Sequence, residues 1–225
     1  MRPKITYLMI IVILVISTAV WFYFDTDAVF DEFGFSGENL TQGRVWTLVT
    51  SIFLHGNSVH LALNSIALFF FGRALEDQLS PRTFLIIFFI GGIVGNLFVL
   101  FTYPMSQIVI GASGAVFAIM GTAIILAPFD FIPYPIPLPL PLALIGIFIA
   151  ISEVINFMTG GHGNVAHVAH IGGMVAGIAF GFREGGSKQG LIVVVILLMV
   201  LLLMPYMWPV LSEMSYLPLI GDLFG

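Results

Sequence analysis

Long apolar runs separated by short polar segments repeat along the chain from residue 5 to residue 208. A run of about 20 apolar residues is long enough to cross the hydrocarbon core of a bilayer as one helix. Seven such spans are predicted, at 5–24, 59–79, 83–102, 111–127, 139–157, 166–184 and 190–208. The pattern therefore predicts an all-α polytopic membrane protein that forms a single membrane domain over residues 1–225.

One connection stands out by its proline content. The segment PFDFIPYPIPLPLP at residues 128–141 contains too many prolines for a helix, because proline removes a backbone donor and clashes with the preceding turn. An extended connection is predicted there.

Composition supports a membrane protein and excludes several classes of function. The chain is 59% hydrophobic and 8% charged, whereas soluble domains carry about 25% charged residues. Its seven Lys and Arg residues are scattered, which leaves no basic patch for nucleic acid. The absence of cysteine excludes disulfides, thiolate metal sites and a cysteine nucleophile.

The basic residues predict the orientation of the chain. If the spans alternate, six of them fall on one side of the membrane: Arg2, Lys4, Arg73, Arg82, Arg183 and Lys188. Arg44 falls on the other side, in a long acidic loop at residues 25–58 whose many large apolar side chains predict a structured interfacial element. The positive-inside rule then places the N-terminus in the cytoplasm of a multi-pass cell-membrane protein.

Polar side chains inside apolar spans are costly, so each one needs an explanation. The informative ones are His60 and Asn64 in the second span, Ser113 in the fourth and His170 in the sixth. These three spans all run from the outer face inward, and each polar residue falls in the first turn or two. Three helices are therefore predicted to deliver polar side chains to one depth near the outer face.

Small residues predict how two of these spans pack. They form one face on each span: Gly114, Ala118 and Gly121 on the fourth, and Gly173, Gly177 and Gly181 on the sixth. Such faces let two helices approach closely. If these faces meet, Ser113 and His170 come within hydrogen-bond reach.

A serine beside a histidine is typical of a nucleophile with its general base. The oxyanion that forms during attack needs hydrogen-bond donors. The backbone N–H groups at the start of the fourth span, around Ser113, can supply them, as can the side chains of His60 and Asn64.

Glu153 is an acidic residue within the fifth predicted span, about one turn from its outer end. Water or an interior hydrogen bond is expected to satisfy it, and a substrate-gate or proton role is the alternative. No acidic residue is expected to complete a triad unless Glu153 reaches in from the fifth span, which is not expected, so the sequence predicts a Ser–His dyad.

The histidines raise the alternative of a zinc site. All five are predicted toward the outer side: His55, His60, His162, His167 and His170. No HExxH motif occurs and no carboxylate joins the set at ligand spacing, so no metal is predicted. We interpret His55, His162 and His167 as loop or interface residues, with an auxiliary catalytic part open for His55 or His167.

Three segments, in this order and spacing, resemble the rhomboid intramembrane serine proteases. They are GRVWTLVTSIFLHGNSVHLALNSIALFFFGRALE, GASGAVFAIMG and AHIGGMVAG, which carry the motifs HxxxN, GxSG and HxxGxxxG. The resemblance covers roughly residues 43 to 181. It implies a six-helix core at about 43–184, and the span at about 190–208 matches a variant with a seventh, C-terminal helix.

The resemblance also implies the roles of individual residues. Ser113 is the nucleophile, His170 the base, and the oxyanion hole consists of His60, Asn64 and the Ser113 amide with Gly111 beside it. In some relatives an aromatic residue four positions after the nucleophile packs on the catalytic histidine, and Phe117 occupies that place here. One departure is the common Trp-Arg pair of the first outer loop, which appears as Trp46-Thr47 with Arg44 displaced.

The implied activity is hydrolysis of transmembrane protein substrates near their outer membrane end, in contact with membrane lipid and without a metal or cofactor. Two alternatives remain open. A catalytically silent rhomboid-like binding or escort protein usually lacks the serine or the histidine, and this chain keeps both. A transporter would show repeats or broken helices in two halves, and none is evident.

Overall fold

The computed structural model describes residues 5–132, 138–159, 167–186 and 188–214 of the chain. Within these ranges the chain forms ten α-helices: α1 (Ile5–Tyr23), α2 (Thr26–Phe33), α3 (Gly37–Thr41), α4 (Thr47–Thr50), α5 (Ser58–Glu76), α6 (Pro81–Val99), α7 (Ser113–Leu126), α8 (Leu142–Thr159), α9 (His167–Arg183) and α10 (Lys188–Met214). The predicted loop residue His162 lies outside the described ranges.

Each predicted span overlaps one of the long helices α1 and α5–α10. Their ends lie within three residues of the prediction, except that α10 continues to Met214. By length and composition, three of the described helices can cross a membrane: α1, α5 and α6. Shorter apolar helices are formed by Ser113–Leu126, Leu142–Ile155 and Lys188–Val200. The chain is therefore a mostly helical protein with several apolar helices.

Local capping explains where two of the long helices begin. The Asn57 side chain accepts a hydrogen bond from the His60 amide at the start of α5. The Ser80 side chain caps α6, and Pro81 occupies its first turn, where no backbone donor is needed.

The proline-rich connection contains two short strands, β1 (Phe131–Ile132) and β2 (Leu138–Pro141). They pair antiparallel with an irregular register. The prediction of an extended segment is therefore confirmed for the two strands, whereas Pro128 and Phe129 form a turn before them.

Helix α7 is the centre of the molecule. Every residue from Gly114 to Ile125 is buried, and the helix packs against α5, α6, α8, α9 and α10. A helix that is apolar on all sides is typical of the interior of a helical bundle. Residues at the start of α7 are therefore surrounded by other helices.

The first loop folds against the segment that precedes α7. It contains α2, α3, α4 and a 3-10 turn at Ser51–Phe53. Phe35 and Val109 exchange two backbone hydrogen bonds of 3.0 and 2.8 Å. Asn96 of α6 donates through Nδ2 to the Leu48 carbonyl and the Ser51 hydroxyl. These contacts tie the loop to the helix bundle.

The Trp46 indole and the Arg44 guanidinium both reach α2, although the common Trp-Arg pair is absent. Trp46 Nε1 donates to the Glu32 carbonyl at 3.2 Å, and Arg44 lies 3.0 Å from the Glu32 carboxylate.

Candidate active site

Ser113 is the first residue of α7 and is half-buried. Gly111, two residues earlier, has φ +124°, a conformation that favours glycine. This turn directs the chain into the helix at Ala112. Because the first amides of a helix have no acceptor within it, Ser113 lies where backbone donors are available.

His170 lies in the first turn of α9 and faces Ser113. Its Nε2 atom is 2.7 Å from Ser113 Oγ. The histidine is buried, with 8% of its side chain exposed. A hydrogen bond of this length between a hydroxyl and an imidazole is suited to proton transfer between them.

The small faces of α7 and α9 lie against each other. A β-carbon at Gly173 would collide with the Gly114 carbonyl oxygen, and one at Gly177 with the Ala118 carbonyl oxygen. A β-carbon at Gly121 would lie 2.7 Å from the Met174 carbonyl oxygen. Because the two backbones touch, this packing sets the separation of Ser113 and His170.

Phe117 covers one face of the His170 ring. The ring centroids are 4.4 Å apart and the planes differ by 9°, a stacked arrangement. Phe117 is one turn after Ser113 on α7 and is itself buried. The imidazole is therefore held both by a hydrogen bond and by a ring contact from the same helix.

The expectation that Glu153 does not reach the Ser–His pair is wrong. Glu153 Oε2 lies 2.8 Å from His170 Nδ1 and 2.7 Å from His167 Nδ1. Glu153 belongs to α8, and its rotation about the helix axis turns it toward α9. That rotation cannot be read from the sequence, because most residues of α8 are apolar on every side of the helix.

Glu153, His167 and His170 also form a possible metal-binding cluster. One potential ligand atom from each of Glu153, His167 and His170 lies within 4.8 Å of the others. The statement that no carboxylate joins the histidines at ligand spacing is therefore wrong. Two imidazoles and a carboxylate are a donor set that suits zinc chemically.

His60 and Asn64 lie on α5, beside the turn that precedes Ser113. A β-carbon at Gly111 would lie 2.6 Å from His60 Nε2, so the imidazole packs directly against this glycine. Asn64 is buried and donates through Nδ2 to the His60 carbonyl at 2.9 Å. The structure thus brings His60 to the turn before Ser113 and holds Asn64 by a bond within its own helix.

His55, interpreted from the sequence as a loop or interface residue, is completely buried. Its Nε2 accepts a hydrogen bond from the Ala112 amide at 3.3 Å, and its Nδ1 lies 2.9 Å from Ser17 Oγ. Ser17 is also bonded to the Phe53 carbonyl. The network assigns the Nδ1–H tautomer, with Nε2 free to accept.

Burial, together with the nearby His60, lowers the pKa of His55 from 6.5 to about 3. A neutral His55 keeps its acceptor for the Ala112 amide. Its ring also meets the His60 ring edge-on at 4.9 Å between centroids. His55 thus supports both the turn before α7 and the His60 imidazole.

The sequence named Glu153 as the one acidic residue that could reach the site but favoured a place outside it, and left His55 without a definite role. The available signal for Glu153 was the cost of an ionisable residue within a span, which favours a functional interpretation. The signal for His55 was its position five residues before His60. A residue that close along the chain to a proposed site residue is expected to lie near the same site.

These features define a helical membrane protein in which a serine and a histidine from two closely packed helices share a hydrogen bond. The rhomboid-domain family model matches residues 42–187. The chain belongs to the rhomboid family, and the resemblance inferred from its motifs is confirmed. Members of this family are embedded in membranes, most are serine proteases, and inactive members exist.

Three relatives illustrate that range. YdcA of Bacillus subtilis (strain 168) is 29% identical over 185 residues, 80% of this chain and 87% of YdcA. The rhomboid protease GluP of the same organism is 33% identical over 141 residues, 61% of this chain and 26% of GluP. The inactive RHOMBOID-like protein 8 of Arabidopsis thaliana is 31% identical over 145 residues, 64% of this chain and 39% of that protein.

Proposed function

We propose that this protein is an intramembrane serine endopeptidase that cleaves transmembrane protein substrates near the outer face of the cell membrane. The observation that carries the proposal is the 2.7 Å contact between Ser113 Oγ and His170 Nε2 at the start of two helices. A solute pathway or a purely structural serine does not require a histidine at that distance.

Ser113 Oγ attacks the carbonyl carbon of the scissile peptide bond, and its proton passes to His170 Nε2. The imidazolium then gives that proton to the leaving amine as the C–N bond breaks, which leaves an acyl–Ser113 ester. A water molecule attacks this ester, His170 Nε2 takes the water's proton, and that proton returns to Ser113 Oγ as the ester C–O bond breaks. No metal or cofactor takes part in these steps.

The negative oxygen of the tetrahedral intermediate is stabilised by donors around the start of α7. We assign this role to the Ser113 amide and to the side chains of His60 and Asn64, with Gly111 leaving room beside them. The contact of the His60 ring with Gly111 supports a donor at this position. Fixed donors of this kind commonly contribute about 10²–10³-fold in kcat each.

The proposed architecture is one membrane domain over residues 1–225, with a six-helix core at about 43–184 and an additional span at about 190–208. The N-terminus faces the cytoplasm, as the distribution of basic residues indicates. The substrate helix enters laterally from the lipid and must unwind locally, because a helical peptide bond is already hydrogen-bonded. Substrates with small or helix-destabilising residues near their outer end are therefore preferred.

The test is cleavage of a single-span reporter by purified, detergent-solubilised protein and by the Ser113→Ala and His170→Ala variants. Each substitution is expected to lower cleavage by about 10³-fold or more, because nucleophile and base act as a unit. A chelator should leave wild-type cleavage unchanged. Cleavage that survives Ser113→Ala would contradict the proposal.

A silent binding protein is the second candidate, supported by the inactive relative at 31% identity. It predicts that the wild type cleaves none of several reporters in detergent or lipid, yet retains them on affinity capture.

A further inference from the structure

The acidic residue next to His170 has no part in the proposed dyad. Glu153 Oε2 lies within hydrogen-bond distance of two imidazole nitrogens, His170 Nδ1 at 2.8 Å and His167 Nδ1 at 2.7 Å. An ionised carboxylate accepts hydrogen bonds and donates none, so both hydrogens belong to the imidazoles. This assigns His170 the tautomer with N–H at Nδ1 and an unprotonated Nε2, which faces Ser113 Oγ.

We propose that Glu153 is a positioning residue for His170, so that the site is a Ser113–His170–Glu153 triad assembled from α7, α9 and α8, with His167 holding the carboxylate. The inference rests on the proposed protease function, and it replaces the simple dyad predicted from the sequence.

The carboxylate acts on the reaction through the imidazole alone. When Ser113 Oγ bonds to the substrate carbon, its proton moves to Nε2, and His170 then carries a positive charge. The Glu153 carboxylate accepts a hydrogen bond from Nδ1–H and stabilises that charge, and it remains unprotonated throughout. The proton leaves His170 with the departing amine, which restores the neutral imidazole while Ser113 remains acylated until water attacks the ester.

Burial makes this contact effective. The exposed fractions are 8% for the His170 side chain and 15% for Glu153. Charges shielded from water interact more strongly than exposed ones, and their hydrogen bonds are correspondingly stronger. The ring is also covered by Phe117, so its orientation is fixed from three directions.

His167 explains how the carboxylate keeps its position. A carboxylate with a single partner is free to rotate about its side-chain bonds, whereas Oε2 here is held between two nitrogens. His167 precedes His170 by one helical turn on α9, and their rings are 6.3 Å apart in an edge-on arrangement. One helix therefore supplies both donors to the residue from α8.

A divalent cation is the competing occupant of this cluster, because the three ligand atoms lie within 4.8 Å. A metal would have to displace both Nδ1 hydrogens and so break the contacts that orient Glu153. The two interpretations therefore predict opposite responses of activity to a chelator.

The experiment compares Glu153→Gln, Glu153→Asp and Glu153→Ala with the wild type and with Ser152→Ala. Ser152 is the neighbouring residue on α8, and its hydroxyl donates to the Ile149 carbonyl. Reporter cleavage gives kcat and KM, labelling of Ser113 by a fluorophosphonate probe gives reactivity without a protein substrate, and thermal unfolding reports folding. Glu153→Gln and Glu153→Ala are expected to lower kcat by about 10²–10⁴-fold with little change in KM. Glu153→Asp, which keeps the charge, should retain more activity than Glu153→Gln, and Ser152→Ala should match the wild type.

The split between kcat and KM separates positioning from a merely structural role. Without the carboxylate, the His170 ring loses its partner at Nδ1, so Glu153→Gln should lose kcat while its KM stays near the wild-type value. A variant that merely loses structure would lose thermal stability as well. His167→Gln should lower kcat by about three- to tenfold, because the Glu153 carboxylate loses one of its two imidazole hydrogen-bond donors.

The outcomes divide cleanly. If the wild type cleaves, Ser113→Ala is inactive, and a folded Glu153→Gln keeps the wild-type kcat and KM, Glu153 is not a positioning residue and the dyad stands. If a chelator abolishes cleavage and Zn²⁺ restores it, the cluster is a metal site and the inference is wrong. If the wild type does not cleave, the protease function itself has failed.

Discussion

Ser113 lies between two regions that are held in place by different forces. On the α9 side, the helices touch through their backbones, with Gly173 against the Gly114 carbonyl and Gly177 against the Ala118 carbonyl. Shape determines this contact, because a side chain as small as a methyl group would not fit.

On the other side, hydrogen bonds fix the turn that precedes α7. The Gly111 amide donates to the Ser51 carbonyl at 2.9 Å, and the Ala112 amide donates to His55 Nε2 at 3.3 Å. This region depends on polar groups and on the protonation state of a histidine. The comparison teaches that the base is positioned by volume and the proposed oxyanion hole by hydrogen bonding, so the two should respond to different perturbations.

The largest effect is expected where volume is decisive. In Gly177→Ala the new methyl group meets the Ala118 backbone, which forces α9 away from α7. We expect a loss of about 1–3 kcal/mol in the free energy of unfolding. Cleavage should fall by about 10²-fold, because a displacement of roughly 1 Å is enough to disrupt the reacting geometry.

Gly56→Ala is the matched control, since its β-carbon would lie 3.9 Å from the nearest atom, in Ile110. Thermal unfolding and reporter cleavage of both variants decide the matter. Equal stability and activity in the two would show that the α7–α9 contact tolerates added volume.

Gly111→Ala tests the hydrogen-bonded side. The substitution is strained at φ +124° and places a methyl group 2.6 Å from His60 Nε2. We expect cleavage to fall by about 10- to 100-fold, the range of a partly lost oxyanion donor.

Labelling of Ser113 by a fluorophosphonate should fall with cleavage, while thermal unfolding changes less than in Gly177→Ala. A normal cleavage rate in Gly111→Ala would remove this turn and His60 from the proposed oxyanion hole.

The buried His55 predicts a dependence of stability on pH. Its pKa is about 3 in the folded state and 6.5 as an ordinary histidine. Between about pH 6.5 and pH 3, His55 is therefore protonated in the unfolded chain and neutral in the folded chain. The stability is complete above pH 6.5 and decreases as the pH falls toward 3, by about 2 kcal/mol at pH 5.

Thermal unfolding of the wild type and of His55→Gln at pH 7.5 and pH 5 measures this term as the difference between their pH dependences. Gln cannot titrate, so its dependence should be smaller by that amount. Parallel pH dependences of the two proteins would mean that His55 titrates normally in the folded state.

The smallest effect is expected at an exposed ion pair of the first loop. Arg44 and Glu32 form an ion pair in the first loop with side chains 31% and 45% exposed. Exposed pairs contribute little because water screens them. Arg44→Ala should change the free energy of unfolding by about 0.5 kcal/mol or less and leave cleavage unchanged.

A large loss of cleavage in Arg44→Ala, measured beside Gly177→Ala, would show that the first loop controls the site more strongly than either neighbouring region.

The sequence predicted the positions of the long helices well, because a bilayer requires apolar runs of a certain length. It also predicted the small faces of α7 and α9 and the approach of Ser113 to His170, which lie 2.7 Å apart in the structure. Three polar motifs at the starts of three spans can be brought together in few ways. The small residues then determine which helix faces pack closely enough to bring Ser113 to His170.

The rotation of α8 was not predictable in this way. In a soluble helix, polar residues mark the solvent side, but in a membrane both lipid and protein interior accept apolar side chains. The apolar residues of α8 therefore leave its rotation open, and with it the direction of Glu153. The same holds for His55, whose burial depends on the path of a loop between α1 and α5.

What the sequence determined by itself is the family, the succession of apolar helices and the pair Ser113 and His170, because each depends on local pattern and spacing. Only the tertiary structure decided that Glu153 and His167 join the pair and that His55 supports the turn before α7. Those contacts arise from how helices rotate and how a loop folds, and these choices are made by packing between distant segments.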